Sequence, residues 1–248
     1  MDDDGLLAVL HEAADAVAAV LAALADWGLA GTRPGQYHSD LAADAAAVAV
    51  LDAAGLGVLS EESGLHGAGR SLLAVLDPVD GSTNASHRIP WFATSVCVLD
   101  AAGPRAAVVV NQASGTRYEA SRGGGARRDG RPIAPSGRET LGDALVAING
   151  LPRRPLGWRQ FRAFGAAALD LCAVADGTVD GYVDCVTDGH GPWDYLGGVL
   201  VCREAGAVVT DAGGRPLDAR GHADRRSPVA AATPALLAEL QAVRATFG

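Results

Sequence analysis

Apolar residues recur at three- and four-residue spacing through Leu6, Leu10, Ala13, Val17, Leu21 and Leu24. That spacing predicts a helix over residues 3–27 with one buried face. Asp2, Asp3 and Asp4 suit the positive end of its dipole. Gly28, Gly31, Pro34 and Gly35 then break the pattern. A second helix is predicted over residues 40–54, stopped by Gly55. Residues 57–60 read as a short strand running into Glu61-Glu62, and residues 71–76 as a buried strand ending at Asp77-Pro78. Residues 93–99, 106–111 and 117–120 alternate as antiparallel strands do. Turn residues separate them: Gly103-Pro104, Ser114-Gly115, Gly123-Gly124-Gly125 and Asp129-Gly130.

The second half changes rhythm. A strand is predicted within residues 141–148, a helix over 166–175, a strand over 179–184 and a helix over 193–205 that ends at Gly206. Short strands follow at 208–209 and 229–231, then a last helix over 234–246 with Pro234 in its first turn. There is no internal repeat and no low-complexity linker. The expectation is one domain over residues 1–248, with lobes near 1–135 and 136–248. Its class is α/β (α+β), with helices and sheets packed in layers.

Composition narrows the function classes. Half the chain is hydrophobic (49%) and 20% is charged, which fits a folded core. The net charge of −9 disfavours a broad nucleic-acid surface. It leaves open small phosphorylated ligands held by metal ions or backbone N–H groups. All 20 basic residues are arginine, and Asp outnumbers Glu by 22 to 7. Short carboxylates suit tight turns and hard cations, although base composition alone also enriches Asp. The acidic start, Met1 to Gly5, is the opposite of a secretory leader. The uncharged run from Ala16 to Ala25 is short for a bilayer span. Cys97, Cys172, Cys185 and Cys202 are scattered without a CxxC pair and read as small apolar side chains. A soluble, cytoplasmic chain without membrane contact is expected.

The chemistry concentrates in Leu76-Asp77-Pro78-Val79-Asp80-Gly81-Ser82-Thr83-Asn84. Two carboxylates three residues apart at a strand end can share a hard cation, and the Val79 carbonyl between them adds an oxygen. Gly81 permits a close backbone approach, and Ser82 and Thr83 are expected to cap a helix. N–H groups at Gly81 and Ser82 would face an anion held by the same cation. Taken alone, such a stretch is more often a capping turn. Glu61-Glu62-Ser63 and Trp193-Asp194 add acids at other element ends, as in sheet-end binding sites.

These segments resemble the inositol monophosphatase family. Residues 77–84 are similar to its DP(I/L/V)DGTTN signature, and Glu61-Glu62-Ser63 to its GEES segment. Trp193-Asp194-Tyr195-Leu196-Gly197-Gly198, with Glu204-Ala205-Gly206-Ala207 after it, resembles WDxAAG…EAGG. Tyr118 to Ala126 and Asp129-Gly130 resemble the middle of the family, so the likeness runs from about residue 30 to 235.

The resemblance implies a layered αβαβα sandwich of the inositol monophosphatase and fructose-1,6-bisphosphatase type, acting as a Mg²⁺-dependent, lithium-sensitive phosphoric monoester hydrolase. It implies Mg²⁺ ligands at Glu61, Asp77, Val79 (through its carbonyl), Asp80 and Asp194. Gly81, Ser82 and Thr83 would meet the phosphate. Ser82 stands where the family has the first Thr of its signature, and keeps the hydroxyl. Ser82, Glu61 and an earlier Asp would act in catalysis. Asp44, in Leu41-Ala42-Ala43-Asp44, fits that Asp by position, with Asp40 as runner-up and helix cap as its alternative reading. Arg33 stands where many relatives carry a Lys. Gly165, Ala166, Ala167 and Asp184 match the substrate-hydroxyl segments, without the usual hydroxyl in the first and with Asp for Glu in the last. The stretch between Asp184 and Asp194 is slightly longer than in the animal enzymes, which brings Asp188 and His190 towards the mouth and makes His190 a candidate substrate contact. Residues 149–164, with Arg153, Arg154, Arg159 and Arg162, look shorter than in relatives, so a helix is expected to be missing from the substrate wall and the usual dimer contact. An inositol phosphate or related cyclitol or sugar phosphate is the expected substrate, and a homodimer the expected assembly. Histidinol phosphate, fructose 1,6-bisphosphate, a secondary-metabolite phosphate, and a regulatory binding role in RNA-linked processes are the alternatives.

Overall fold

The computed structural model describes residues 1–154 and 156–247. Helices α1 (Asp3–Ala23) and α2 (His38–Ala53) lie against an eight-stranded sheet. That sheet is built from β1 (Gly57–Ser60), β2 (Gly64–His66), β3 (Leu73–Asp80), β4 (Ala93–Asp100), β5 (Gly103–Asn111), β6 (Arg117–Ser121), β7 (Gly125–Arg128) and β8 (Arg131–Pro132). Its order is β2-β1-β3-β4-β5-β6-β7-β8, antiparallel except for the β1–β3 pair. A short helix, α3 (Ser82–Ser86), follows β3. The second sheet has five strands: β9 (Leu145–Asn149), β10 (Gln160–Arg162), β11 (Gly181–Asp184), β12 (Val208–Asp211) and β13 (Pro228–Ala231), in the order β10-β9-β11-β13-β12. Helices α4 (Ala167–Ala175) and α5 (Pro192–Ala205) pack between the sheets, and α6 (Pro234–Arg244) covers the far face. The layers therefore run α, β, α, β, α, as expected.

Burial follows the apolar pattern. Leu6, Leu10, Ala13, Ala14, Val17 and Leu21 of α1 are buried over the first sheet, joined by Ala43, Ala47 and Leu51 of α2. Each large side chain removed from water there contributes about 1.5–3 kcal/mol. By length and composition α1 would span a bilayer (21 residues, mean hydropathy 1.8), but its apolar face is spent on the sheet. Between the sheets the interface is dominated by small residues. Gly198 lets α5 approach α4 so closely that a Cβ there would lie 2.6 Å from Leu171 Cβ. All four cysteines are free thiols; Cys97, Cys172 and Cys202 are buried and Cys185 half-buried.

Several sequence expectations need correction. Helix α1 ends at Ala23, because Leu24 turns to extended backbone (ψ 120°). Strand β3 does not stop at Asp77 but runs to Asp80, with its register against β4 broken between those residues. Pro78 is tolerated there because a bulge spares the ladder its missing N–H, and Thr94 Oγ1 donates to its carbonyl at 2.9 Å. The N-cap of α3 is Gly81, without a side-chain capping bond, so Ser82 and Thr83 do not cap it. Residues 141–143 form a 3₁₀ turn before β9 starts. Strands β2, β7, β8 and β10 have two to four residues, too few to show a period. Among the described residues, no helix stands between β9 and α4.

Candidate active site

Three polypeptide ends meet in one cleft: the end of β1, the bulged end of β3, and the start of α5. Glu61, Asp77 and Asp194 each bring a carboxylate oxygen there, all within 4.8 Å of one another. Asp77 is 2% exposed, and its Oδ1 accepts the Val79 N–H at 3.0 Å. Asp194 reaches back to the N-terminal turn of α5, where its Oδ2 accepts the Gly191 N–H at 2.7 Å. Asp80 adjoins this trio but leans towards α4, where its Oδ2 accepts the Ala168 N–H at 2.7 Å. The N-cap of α4, Ala166, has no side-chain acceptor of its own. A carboxylate from β3 thus takes the place of the missing capping side chain.

Crowding of like charges shows in proton affinities. Burial, then Asp194, Glu62 and Asp80, push Glu61 up to about 8. Burial, followed by Asp194, pushes Asp80 up to about 7 against the opposing Ala168 hydrogen bond. Asp77 is raised well above the carboxylate range by burial and then by Glu61 and Asp80. Such a group is all oxygen, hard and over-negative, which is the donor set that fits Mg²⁺.

The turn after β3 is shaped for close contact. Gly81 has φ 87°, and a Cβ on it would lie 3.0 Å from the Gly165 carbonyl oxygen. Asn84 Nδ2 donates to the carbonyls of Trp91 and Phe164, both at 2.7 Å, stapling this turn to the segment before α4. Ser82 Oγ donates to the Val79 carbonyl at 3.2 Å. Thr83 is exposed, with its Oγ1 3.4 Å from Tyr37 Oη.

Of the two earlier aspartates, Asp40 and not Asp44 is the one brought to Ser82. Asp44 is buried and does not line the cleft, and its Oδ1 accepts the hydroxyl of Ser60. Asp40 is the acid that faces Ser82, in a cleft of about 230 Å³ shared with Arg33, Glu61, Glu62, Trp193, His222 and Arg225. Its Oδ2 also accepts the Tyr37 N–H at 2.8 Å, so cap and site roles coincide. Burial, only partly offset by the Tyr37 bond, raises Asp40 to about 6. The position of the stretch Leu41-Ala42-Ala43-Asp44 favours Asp44, because it takes no account of which helix face the strand ends meet. Arg33 itself pairs with Glu62 at 2.6 Å.

On the other side of the acids lies a cavity of about 150 Å³. Asp80, Asp194, Gly165, Ala166, Ala167 and His190 line it, with Ile148, Asn149, Asp170 and Tyr182. His190 is a buried bridge between strands and helix. Its Nε2 lies 2.8 Å from Tyr182 Oη and its Nδ1 3.3 Å from Asp194 Oδ2. Burial opposes its charge, but the Asp194 hydrogen bond and the carboxylates of Asp194, Asp184 and Asp80 raise it to about 9. Asp184 does not reach the cavity. It is fully buried, its Oδ1 accepts from Asn149 Nδ2 at 3.0 Å and from the Val186 N–H at 2.9 Å, and its Oδ2 has no hydrogen-bond partner. The Asp184 side chain is covered by Gly189 and His190, from the lengthened stretch before Asp194. Asp188 is not at the mouth either; it pairs with Arg215 at 2.5 Å beside a separate cavity of about 450 Å³.

Sequence reading missed Asn149, Asp170 and Tyr182. Asp170 had a local signal, since it lies one helical turn after Ala167 on the face that meets the cavity. It also missed the stack of His222 on Trp193 (centroids 4.8 Å apart) and of Arg225 on the same indole (5.3 Å), which braces the residue before Asp194.

The chain matches the model of the inositol monophosphatase family over residues 38–245. It is 33% identical over 215 residues to an inositol-1-monophosphatase, ImpA, of Mycolicibacterium smegmatis, covering 80% of this chain and 75% of that one. It is 35% identical over 170 residues to a Nus factor, SuhB, of Salmonella typhimurium, where the match spans only 62% of each chain. The solved structure of an inositol monophosphatase from Anabaena superposes with a TM-score of 0.81 at 28% identity, covering 98% of this chain and 96% of that one.

Proposed function

The chain belongs to the inositol monophosphatase family, and from that premise we infer that it hydrolyses the phosphate monoester of a small cyclitol or sugar, with inositol 1-phosphate first among them. The observation that carries this reading is the convergence of Glu61, Asp77 and Asp194 within 4.8 Å, with Asp80 beside them at the edge of a small polar cavity. Glu61, Asp77, Asp194, the Val79 carbonyl and Asp80 would hold Mg²⁺. That ion supplies Lewis acidity for the phosphoryl oxygens.

The chain's own residues divide the remaining work. Asp40 and Ser82 face each other in the adjoining cleft and orient the attacking water, whose proton passes to the Asp40 carboxylate. An acid raised to about 6 is largely ionised near neutrality and still basic enough for that task. Gly81 keeps the turn close to Gly165 and Ala166, so the phosphate end and the alcohol end of the cleft stay in fixed register. His190 fixes the orientation of Asp194 from behind. The same reading includes lithium inhibition, a homodimer and a cytoplasmic place of action.

Phosphate release from cyclitol, sugar, nucleotide and histidinol phosphates, with and without Mg²⁺, tests the reading. Turnover of inositol 1-phosphate that requires Mg²⁺ is expected. Folded protein that releases no phosphate from any of them overturns it. The match to a Nus factor supports a second reading, a regulatory binding role. Capture of a transcription complex from extract by a protein inactive on the whole panel would favour it.

A further inference from the structure

The alcohol end of the cavity has an unusual balance of hydrogen-bonding atoms. Asp170, on α4, is 1% exposed and lines the cavity. Its Oδ1 accepts the Trp91 indole N–H at 2.8 Å. Among the described residues nothing donates to its Oδ2, which is open to the cavity. Asn149, at the end of β9, gives its Nδ2–H to Asp184 Oδ1, so its amide oxygen is the atom left over. The buried Asp184 therefore sets which way the Asn149 amide points. Tyr182 Oη and His190 Nε2 are occupied with each other at 2.8 Å. No Arg or Lys lines the cavity.

Building on the phosphomonoesterase reading above, we propose that Asp170 and Asn149 are the specificity-determining residues of this cavity, hydrogen-bonding to hydroxyl groups of the substrate's alcohol. In this chain they take over the contact that the resemblance assigns to Asp184, which His190 covers. The chemistry recognised is a compact polyol ring or chain, rich in donors. The cavity of about 150 Å³ corresponds to roughly five water volumes at ~30 Å³ each, which suits a small ring and not a nucleoside.

The test compares inositol 1-phosphate with cyclohexyl phosphate, the same ring without hydroxyls, on wild type, Asp170→Asn and Asp170→Ala. Asp170→Asn keeps the volume and the oxygen facing Trp91, but turns the open atom into a donor. A site built for a hydroxyl discriminates strongly against its loss, so kcat/KM for inositol 1-phosphate is expected to fall at least ~10-fold, mainly through KM, and that for cyclohexyl phosphate less than ~3-fold. Equal losses on both substrates, or none, overturn the assignment. Calorimetric binding of inositol 1-phosphate with Ca²⁺ in place of Mg²⁺ reads the same contact without turnover. A Kd unchanged by Asp170→Asn and Asp170→Ala, or no binding to wild type, overturns it. A Kd weakened ~10-fold by these substitutions, when the wild type itself shows no turnover, supports the contact and sinks the hydrolase reading alone.

Discussion

The two ends of the cleft are built differently. At the acid end the three aspartates are pinned by backbone N–H groups close by in sequence or at a helix start: Val79 N–H to Asp77, Gly191 N–H to Asp194, Ala168 N–H to Asp80. At the alcohol end the lining comes from β9, α4, β11 and the loop before α5, and side chains orient one another: Asp184 sets Asn149, Tyr182 meets His190, Trp91 holds Asp170. Backbone pinning makes geometry a property of short motifs. Side-chain pinning lets one substitution or a longer loop transfer a role from one residue to another.

The largest effect that sharpens this contrast comes from charge removal at the acid end. Asp80→Asn or Asp194→Asn is expected to lower kcat by about 10³-fold or more, since a preorganised electrostatic contact is lost. The Asp80 variant keeps an oxygen for the Ala168 N–H, so metal-free Tm at pH 8 should rise as one repelling charge disappears. Turnover assays and calorimetry check both, and near-wild-type kcat in either variant removes that residue from the site.

Next in size is the pair on α2. Asp40→Asn should cost about 10²-fold in kcat, in the range of general-base losses. Asp44→Asn should leave kcat within ~3-fold and act on stability through Ser60. The reverse ranking would return the water-orienting role to Asp44.

The smallest effect is on stability against pH. Folded Asp40, Asp80 and Glu61 hold their protons to about 6, 7 and 8, against 3.8, 3.8 and 4.5 for unperturbed groups. Between about pH 4 and 8 the folded chain therefore binds more protons than the unfolded one, and stability falls as pH rises through that window. In Mg²⁺-free buffer the Tm should drop by several degrees from pH 5 to 8, since each ~1 kcal/mol moves it by about 2–4 °C in a domain of this size. Added Mg²⁺ should restore it most at pH 8, where the ligands are ionised. A Tm that is flat or rising across that range would contradict the crowding described above.

Glu61, Asp77, Asp80 and Asp194 were legible as a set through the resemblance of their short motifs to the family, since spacing alone showed only that acids stand at strand and helix ends. Layered packing of helices and sheets was legible through helical periodicity in α1 and α2 and turn residues between β4, β5 and β6, and the αβαβα order through the family resemblance. Asp40 was ranked second because motif position cannot show which turn of α2 faces the end of β3. Asp170 went unnoticed because a lone acid in an apolar helix carries no motif, and its partner Trp91 is 79 positions away.

The sequence by itself determined the ligand chemistry. Oxygen donors at strand and helix ends, a glycine that tolerates positive φ, and apolar faces of the right period are local properties, set by covalent geometry and side-chain type. Tertiary structure alone decided which acids face which side of the cleft. It turned Asp184 inward behind His190, left an oxygen of Asp170 open, and brought Asp40 to Ser82 and Asp44 to Ser60. Those outcomes depend on contacts between residues dozens of positions apart. There the cost of burying a charge and the supply of hydrogen-bond partners are settled only when the layers pack.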